Sequence, residues 1–387
     1  EFRRVLFRSL PTLTLSLLSS NIIYKKRLKP ILISDLKPNH PISKIFKAFG
    51  VNTIYSSFNK LLFFNNIFLS VSCLVFTLLG LIQIKIRSFK WFIENFRVHN
   101  ILVGDLVFDS YVRNYNHYQN PKTDTRFLII LFQAIFRTKR ITKLFNERNI
   151  KFTLIPTSAY VSNGAIAARV ALENKIRVIE PYLYGSREIT KQTVKNGYHY
   201  EKVKKNFKNI QKVKNKSANK FFDDRFKRFK IGVYTGKKDF LFQNKKKLKY
   251  TLNDKQLIKY GIDRKQYKKI ILFACHAFSD APHSLGNKFI FTDYYDHLLQ
   301  TLNFIKKNKN DDVLWLVKKH PSSEYYGENG VVEKVIKKIN YKNIKLFPEK
   351  INTINAIKFC DAVFTGRGTI GMEFACYGKL AIRSEEH

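Results

Sequence analysis

The chain has 387 residues, 45% apolar and 14% aromatic, with 70 Lys and Arg against 29 Asp and Glu, a formal net charge of +41. A composition that apolar over that length excludes a disordered basic tail, a collagen or coiled-coil fibre and a disulfide scaffold, and allows about two domains, each with its own core. The four cysteines, Cys73, Cys275, Cys360 and Cys376, stand far apart without zinc-holding spacing, and read as buried thiols in a reducing compartment.

Residues 1–9 and 383–387 match what library sequencing adapters encode, and Met372 is the chain's sole methionine. These ends are expected to be adapter scars around an internal piece, 10–382, of a longer protein. In chain order, PILIS (30–34) reads as a strand, followed by a long helical region. Within it, 61–84 runs 24 residues without a charge between flanking basic residues. Its length would span a bilayer, but Asn65, Asn66, Ser70, Ser72, Thr77 and Gln83 interrupt it, so a buried helix or one lying on a membrane is expected instead.

NILVG (100–104) reads as a strand, 124–148 as a helix, KFTLIP (151–156) as a strand, 163–174 as a helix and IRVIEPY (176–182) as a strand. Residues 201–250 then carry 18 Lys or Arg against four acidic residues. This stretch is either a solvated linker or an attraction for phosphate-rich partners, meaning nucleic acid or an anionic membrane. Beyond it, strands at 268–275, 312–318, 343–348 and 361–365 alternate with helices at 294–307, 331–339, 353–360 and 369–378. That alternation predicts a parallel, doubly wound sheet.

Ligands of such sheets bind beyond the carboxyl ends of the strands. After the strand ending at Val317 comes KKHPSS, where Lys319, His320, Pro321 and Ser322 form a strand tip whose histidine can hydrogen-bond or protonate a phosphate oxygen; a plain turn histidine is the alternative. After DAVFT comes GRGTIGMEF, where Gly366, Gly368 and Gly371 allow close backbone approach, Thr369 starts a helix and Glu373 follows one turn on. This outlines an anion site with a carboxylate within reach of ribose hydroxyls, or else a strand, turn and helix packed through glycine. The Walker pattern GxxxxGK[ST] is lacking, which argues against a P-loop enzyme.

KKHPSS, a spacer of some forty residues and DAVFTGRGTIGMEFACYGKLAI together resemble the donor half of bacterial capsule and surface-polysaccharide glycosyltransferases of the two-Rossmann glycosyltransferase B architecture. GDLVFDSYVR (104–113), TSAYVSNGAIAARVAL (157–172) and ACHAFSDAPHSLG (274–286) are similar to other segments of that group. The resemblance implies two Rossmann-like doubly wound α/β domains, an acceptor-side one over 10–200 and an incomplete nucleotide-donor-binding one over 266–382, joined by a Lys-rich region over 201–265. It also implies sugar transfer from a nucleotide-activated donor to a glycan or lipid-linked acceptor, with no cofactor beyond that co-substrate. His320 and Pro321, with Gly368, Thr369 and Glu373, would contact the donor, although Gly-Arg-Gly stands before Thr369 where the group has a Ser-rich turn.

The transfer needs a base for the acceptor hydroxyl. Asp105 and Asp109 are first candidates, beside Tyr111 and Arg113, and Asp280 and His283 of SDAPH come second. The alternatives are that Asp105 caps a helix, Asp109 pairs with Arg113 and Asp280 orders a turn. Tyr160, Asn163, Gly164 and Arg169 follow a strand and are placed at an acceptor cleft, Arg169 equally on a helix surface. No DxD follows a strand, so no metal is expected. A CDP-polyol phosphate transferase shares the His-Pro strand end and stays open. A specific nucleic-acid partner does not fit, since RNP, KH, zinc-finger and homeodomain patterns are absent. The expected place is the cytoplasm, at the inner face of the membrane, through an anionic lipid surface.

Overall fold

The computed structural model describes residues 20, 24, 28–36, 39–58, 66–116, 122–182, 185–196, 254–284, 289–324, 326–348, 351 and 353–384. The first scar and the Lys-rich stretch as far as residue 253 lie outside the described residues. The chain divides into two compact units, 1–198 with 281–287, and 199–280 with 288–387. The return of 281–287 to the first unit is a feature the sequence division lacks.

The first unit contains β1 (Ile31–Ile33), α1 (Pro41–Ala48), β2 (Thr53–Tyr55), α2 (Ile67–Ile86), α3 (Phe89–Asn95), β3 (Arg97–Val98), β4 (Ile101–Leu102), α4 (Gly104–Tyr115), α5 (Thr125–Glu147), β5 (Phe152–Leu154), α6 (Asn163–Glu173), β6 (Arg177–Tyr182), β7 (Gly185–Ile189) and α7 (Lys191–Asn196). Among the described residues its strands fall into three small sheets, β1-β2, β3-β4 and β5-β6-β7, rather than the single doubly wound sheet expected. The physical reason is the helices. Residues 104–112 of α4 are buried throughout, and α5 buries Phe127, Ile130, Leu131, Ala134, Ile135 and Phe136. These faces, with Ala165, Ile166, Val170 and Ala171 of α6, form one apolar core that helices rather than a single sheet supply.

Two helix starts are capped by side chains. Asp124 accepts the Phe127 N–H at 2.9 Å and Ser162 the Ala165 N–H at 3.2 Å. The strand expected over 100–104 shrinks to the two residues of β4, paired antiparallel with β3. It stops because Val103 and Gly104 both donate their amides to Phe96 O, at 3.0 and 3.2 Å, and helix α4 begins.

The second unit contains α8 (Asp254–Ile258), β8 (Lys269–Ala274), α9 (Tyr294–Lys307), β9 (Val313–Lys318), α10 (Val331–Ile339), β10 (Ile344–Leu346), α11 (Thr353–Phe359), β11 (Ala362–Thr365), α12 (Ile370–Cys376) and β12 (Leu380–Arg383). Among the described residues its five strands pair in parallel in the order β10-β9-β8-β11-β12. Side chains alternate across the sheet. Ile270, Leu272, Leu316 and Val363 pack with Ile357 and Phe359 of α11 and Phe374 of α12. On the opposite face Phe273 meets Phe364 and His297 of α9, with ring centroids 5.4 and 5.2 Å apart. Helices thus cover both faces, as the alternating pattern predicts for a doubly wound sheet. Arg383, assigned above to a terminal scar, ends β12 opposite Thr365.

Cys73, Cys275 and Cys360 are buried free thiols, while Cys376 is half-buried, against expectation.

Gly104 is where α4 meets the end of α3, and a Cβ there would lie 2.0 Å from Phe92 O. Backbone cannot swing aside as a side chain does, so Gly104→Ala is expected to cost about 2 to 3 kcal/mol. Gly80→Ala, whose Cβ meets only side-chain carbons at 3.1 and 3.2 Å, should cost less. Urea midpoints of the two variants test the ranking, and equal losses would contradict it.

Candidate functional site

In the second unit, strand register fixes the site. Ala274 pairs with Lys318 on one side and with Thr365 on the other. The ends of β9, β8 and β11 are therefore flush, and the segments after them leave one edge at spacings of about 5 Å. Thr365 Oγ1 fastens two of them by donating to Ala274 O at 3.0 Å. Numbered from β8, the sheet order is 3-2-1-4-5, and the direction of winding reverses between β8 and β11. That is the crevice where ligands of such sheets bind.

His276, two residues past β8, occupies the middle of this edge. Its ring stacks on Tyr294 at 4.2 Å and on His320 at 5.4 Å. The Asp280 carboxylate lies 3.9 Å from His276 Nδ1. His320 Nδ1 accepts the Ser322 N–H at 3.2 Å, so the ring proton of neutral His320 sits on Nε2. Burial, and next the neighbouring His276, push the His320 pKa down to about 3. His320 is thus a neutral hydrogen-bond donor near pH 7, which favours hydrogen bonding over protonation among the two roles expected of it. Pro321 is exposed and Ser322 half-buried. Lys319 is committed to Glu333 of α10 at 2.7 Å.

The glycine turn after β11 lies beside this stack. A Cβ at Gly366 would meet Tyr294 Cε1 at 3.4 Å, and one at Gly368 would lie 2.8 Å from Thr365 Oγ1. Thr369 takes the N-cap position of α12 without using its side chain as a cap, and is exposed. Glu373 is in the first turn of α12 but on its buried face.

The acceptor-side candidates lie in the first unit and divide sharply. Asp105 is in the first turn of α4, and Arg169 of α6 grips it with two hydrogen bonds of 2.6 Å. Arg169 also donates to Leu102 O, and both side chains are buried. Each charge is spent on the other, so Asp105 is not available as a base and Arg169 lines no cleft. Tyr111 is fully buried, edge-on to Phe127 at 5.4 Å, with burial raising its hydroxyl to about 12; it is a core residue, not a lining one. Gly164 is a packing glycine, since a Cβ there would lie 2.9 Å from Thr157 O.

Arg113 and Tyr160 do come together, the guanidinium 5.8 Å from the ring centroid. With Ser110, Asn114, Gln133 and Val161 they line a cavity of about 240 Å³. Tyr160 sits in the left-handed region at φ 62°, a conformation that costs a non-glycine residue about 1 kcal/mol and gathers at functional sites.

Asp109 is wholly buried and makes no pair with Arg113. Its Oδ2 accepts the amides of His283 at 3.1 Å and Ser284 at 2.6 Å, and its Oδ1 has no partner among the described residues. Burial raises its pKa to about 8. His283 rests edge-on against Phe108 at 5.5 Å. SDAPH is divided by the fold, with Asp280 in the second unit and His283 in the first.

Two groupings escaped the sequence reading. His276 lies inside the segment ACHAFSDAPHSLG, two residues past a strand. Asp35 follows β1 and accepts the amides of Ser57 and Phe58 at 3.0 and 2.8 Å and the Asn163 amide at 3.3 Å. Arg137 bridges to it at 3.0 Å. The signal was present in ILISD, a carboxylate just past a strand. Among the described residues no group of three or more His, Cys, Asp or Glu is placed to hold a metal ion.

No protein-family model and no curated protein matches the chain. Among solved structures it is similar to the KpsC beta Kdo 2,4 transferase of Thermosulfurimonas dismutans, at 14% identity over 58% of this chain and 66% of that one, with a TM-score of 0.32. The chain thus spans just under two thirds of that protein's length, and likeness at this level carries no argument about activity.

The Asp109 carboxyl titrates near 8 when folded against an ordinary 3.8. Between those values the folded chain keeps a proton that the unfolded chain has released, so stability falls as pH rises through that window. Asp109→Asn keeps the acceptor oxygen without the ionisation. Its melting temperature is expected to gain steadily on the parent's from about pH 5 to about pH 8. Parallel melting profiles would mean that Asp109 ionises freely.

Proposed function

We propose that the chain is a glycosyltransferase of surface-polysaccharide synthesis, moving a sugar from a nucleotide-activated donor to a glycan or lipid-linked acceptor. The observation that carries this reading is the flush edge of β9, β8 and β11, where the Tyr294, His276 and His320 stack stands beside the glycine turn at the reversal of winding. A planar stack next to closely approachable backbone suits a nucleoside diphosphate.

In this reading His320 Nε2–H and the amides after Gly366 donate to the phosphate oxygens as charge develops on the leaving group. The exposed Thr369 hydroxyl adds a further donor. Neutral donors serve there without proton transfer. Of the four candidate bases Asp280 has the most suitable surroundings, a partly exposed carboxylate beside an imidazole. It holds His276 in position, and the pair takes the acceptor proton. The cavity around Arg113 and Tyr160 is the acceptor candidate of the first unit.

Thermal shift against CMP, CDP, UDP and GDP tests the donor site. One nucleotide is expected to raise the melting temperature by several degrees at saturation, with the gain lost in His320→Ala and Thr369→Ala. A folded sample that shifts with none of them overturns the reading. A shift with CDP alone, followed by turnover of a CDP-polyol rather than a nucleotide sugar, would move the assignment to polyol phosphate transfer.

A further inference from the structure

Helix α2 is built inside out. Ser70, Cys73, Thr77, Gly80 and Ile84 recur every three or four residues and face the protein. Phe68, Val71, Val75, Leu78, Ile82 and Ile86 recur at the same spacing on the other side and face outward, Phe68 at 91% exposure, Ile86 at 75% and Leu78 at 58%. A surface helix in water shows the reverse.

The inward face is explained by its neighbours. α2 runs antiparallel to α5, with Lys139 Nζ donating to Ser72 Oγ and Gly80 meeting Leu131 eight residues further along. Thr77 turns its hydroxyl back to Cys73 O at 2.8 Å. Small side chains allow this close approach but leave the apolar ones outside.

Charge says what covers them. At the carboxyl end of the stripe Lys85, Arg87 and Lys90 are exposed, and the Arg87 guanidinium lies over the Trp91 ring at 4.5 Å. Basic and indole side chains next to an apolar face are the groups that settle at lipid headgroups. The 20 residues of α2 are long and apolar enough to cross a bilayer. A crossing, however, would carry Arg137, Lys139, Arg140 and Lys143 of the adjoining α5 towards hydrocarbon, at several kcal/mol for each charge.

We propose that α2 docks in the plane of an anionic lipid bilayer, its apolar stripe at the acyl boundary and Lys85, Arg87 and Lys90 against the headgroup phosphates. This rests on the first unit alone and stands apart from the donor-site reading.

Co-sedimentation with phosphatidylcholine–phosphatidylglycerol vesicles and with phosphatidylcholine vesicles tests it, using the full chain. The parent is expected to bind the anionic vesicles more tightly, and added salt to weaken it. Phe68→Ser with Leu78→Ser should lower binding roughly tenfold or more without lowering the melting temperature, because both side chains already face water. Lys85→Glu with Arg87→Glu should remove the preference for anionic lipid. Full binding by the Phe68/Leu78 variant would overturn the proposal by placing the lipid contact elsewhere. A dimer in light scattering that this variant dissolves, without vesicle binding, would make a second copy the occupant. Retention in the membrane after an alkaline carbonate wash would overturn the in-plane placement in favour of a crossing, and release supports it.

Discussion

Parallel pairing that ends flush is the constraint on which the candidate site depends. Because Ala274, Lys318 and Thr365 share one register line, the side chains that follow are delivered to one edge without any loop having to find them. The Thr365 hydroxyl reinforces the line by bonding to the neighbouring strand. Gly368 has to be glycine because that same oxygen occupies the space of a Cβ. One hydroxyl thus both ties the sheet and shapes the turn, so the geometry of the edge belongs to the core rather than to the loops.

The first unit solves a different problem. Its described strands are split among three small sheets, and three carboxylates tie its segments together, each in its own way. Asp105 is neutralised by Arg169, Asp35 gathers amides and an arginine, and Asp109 keeps its proton. Burying a lone carboxylate is costly, and pairing, hydrogen bonding and protonation are the available answers. Residues that look catalytic by type alone are here the struts.

What the sequence made legible follows from this contrast. The second unit was readable nearly element by element, because α9, α10 and α11 carry helical spacing and the strands between them are apolar runs of the right length. The edge was readable too, since position after a strand is a sequence property that His276 and Asp35 share. The first unit was not readable in the same way. Whether Asp105 is a base or half of an ion pair is decided by Arg169, 64 residues away, and no local pattern reports such a distance. The 61–84 run was ambiguous for a related reason: hydropathy gives the amount of apolar surface on a helix, while only packing tells which side of it faces out.

The two amides that cap Asp109 come from residues 283 and 284, some 175 positions later in the chain. During synthesis the first unit therefore cannot close when its own stretch has emerged. At ribosomal rates it waits on the order of ten seconds or more for the returning segment. Through that interval α4 carries a carboxylate whose partners do not yet exist, and the surface that 281–284 later covers is open to chaperones and proteases. The chain order thus makes completion of the early half a signal that much of the later half has already been made.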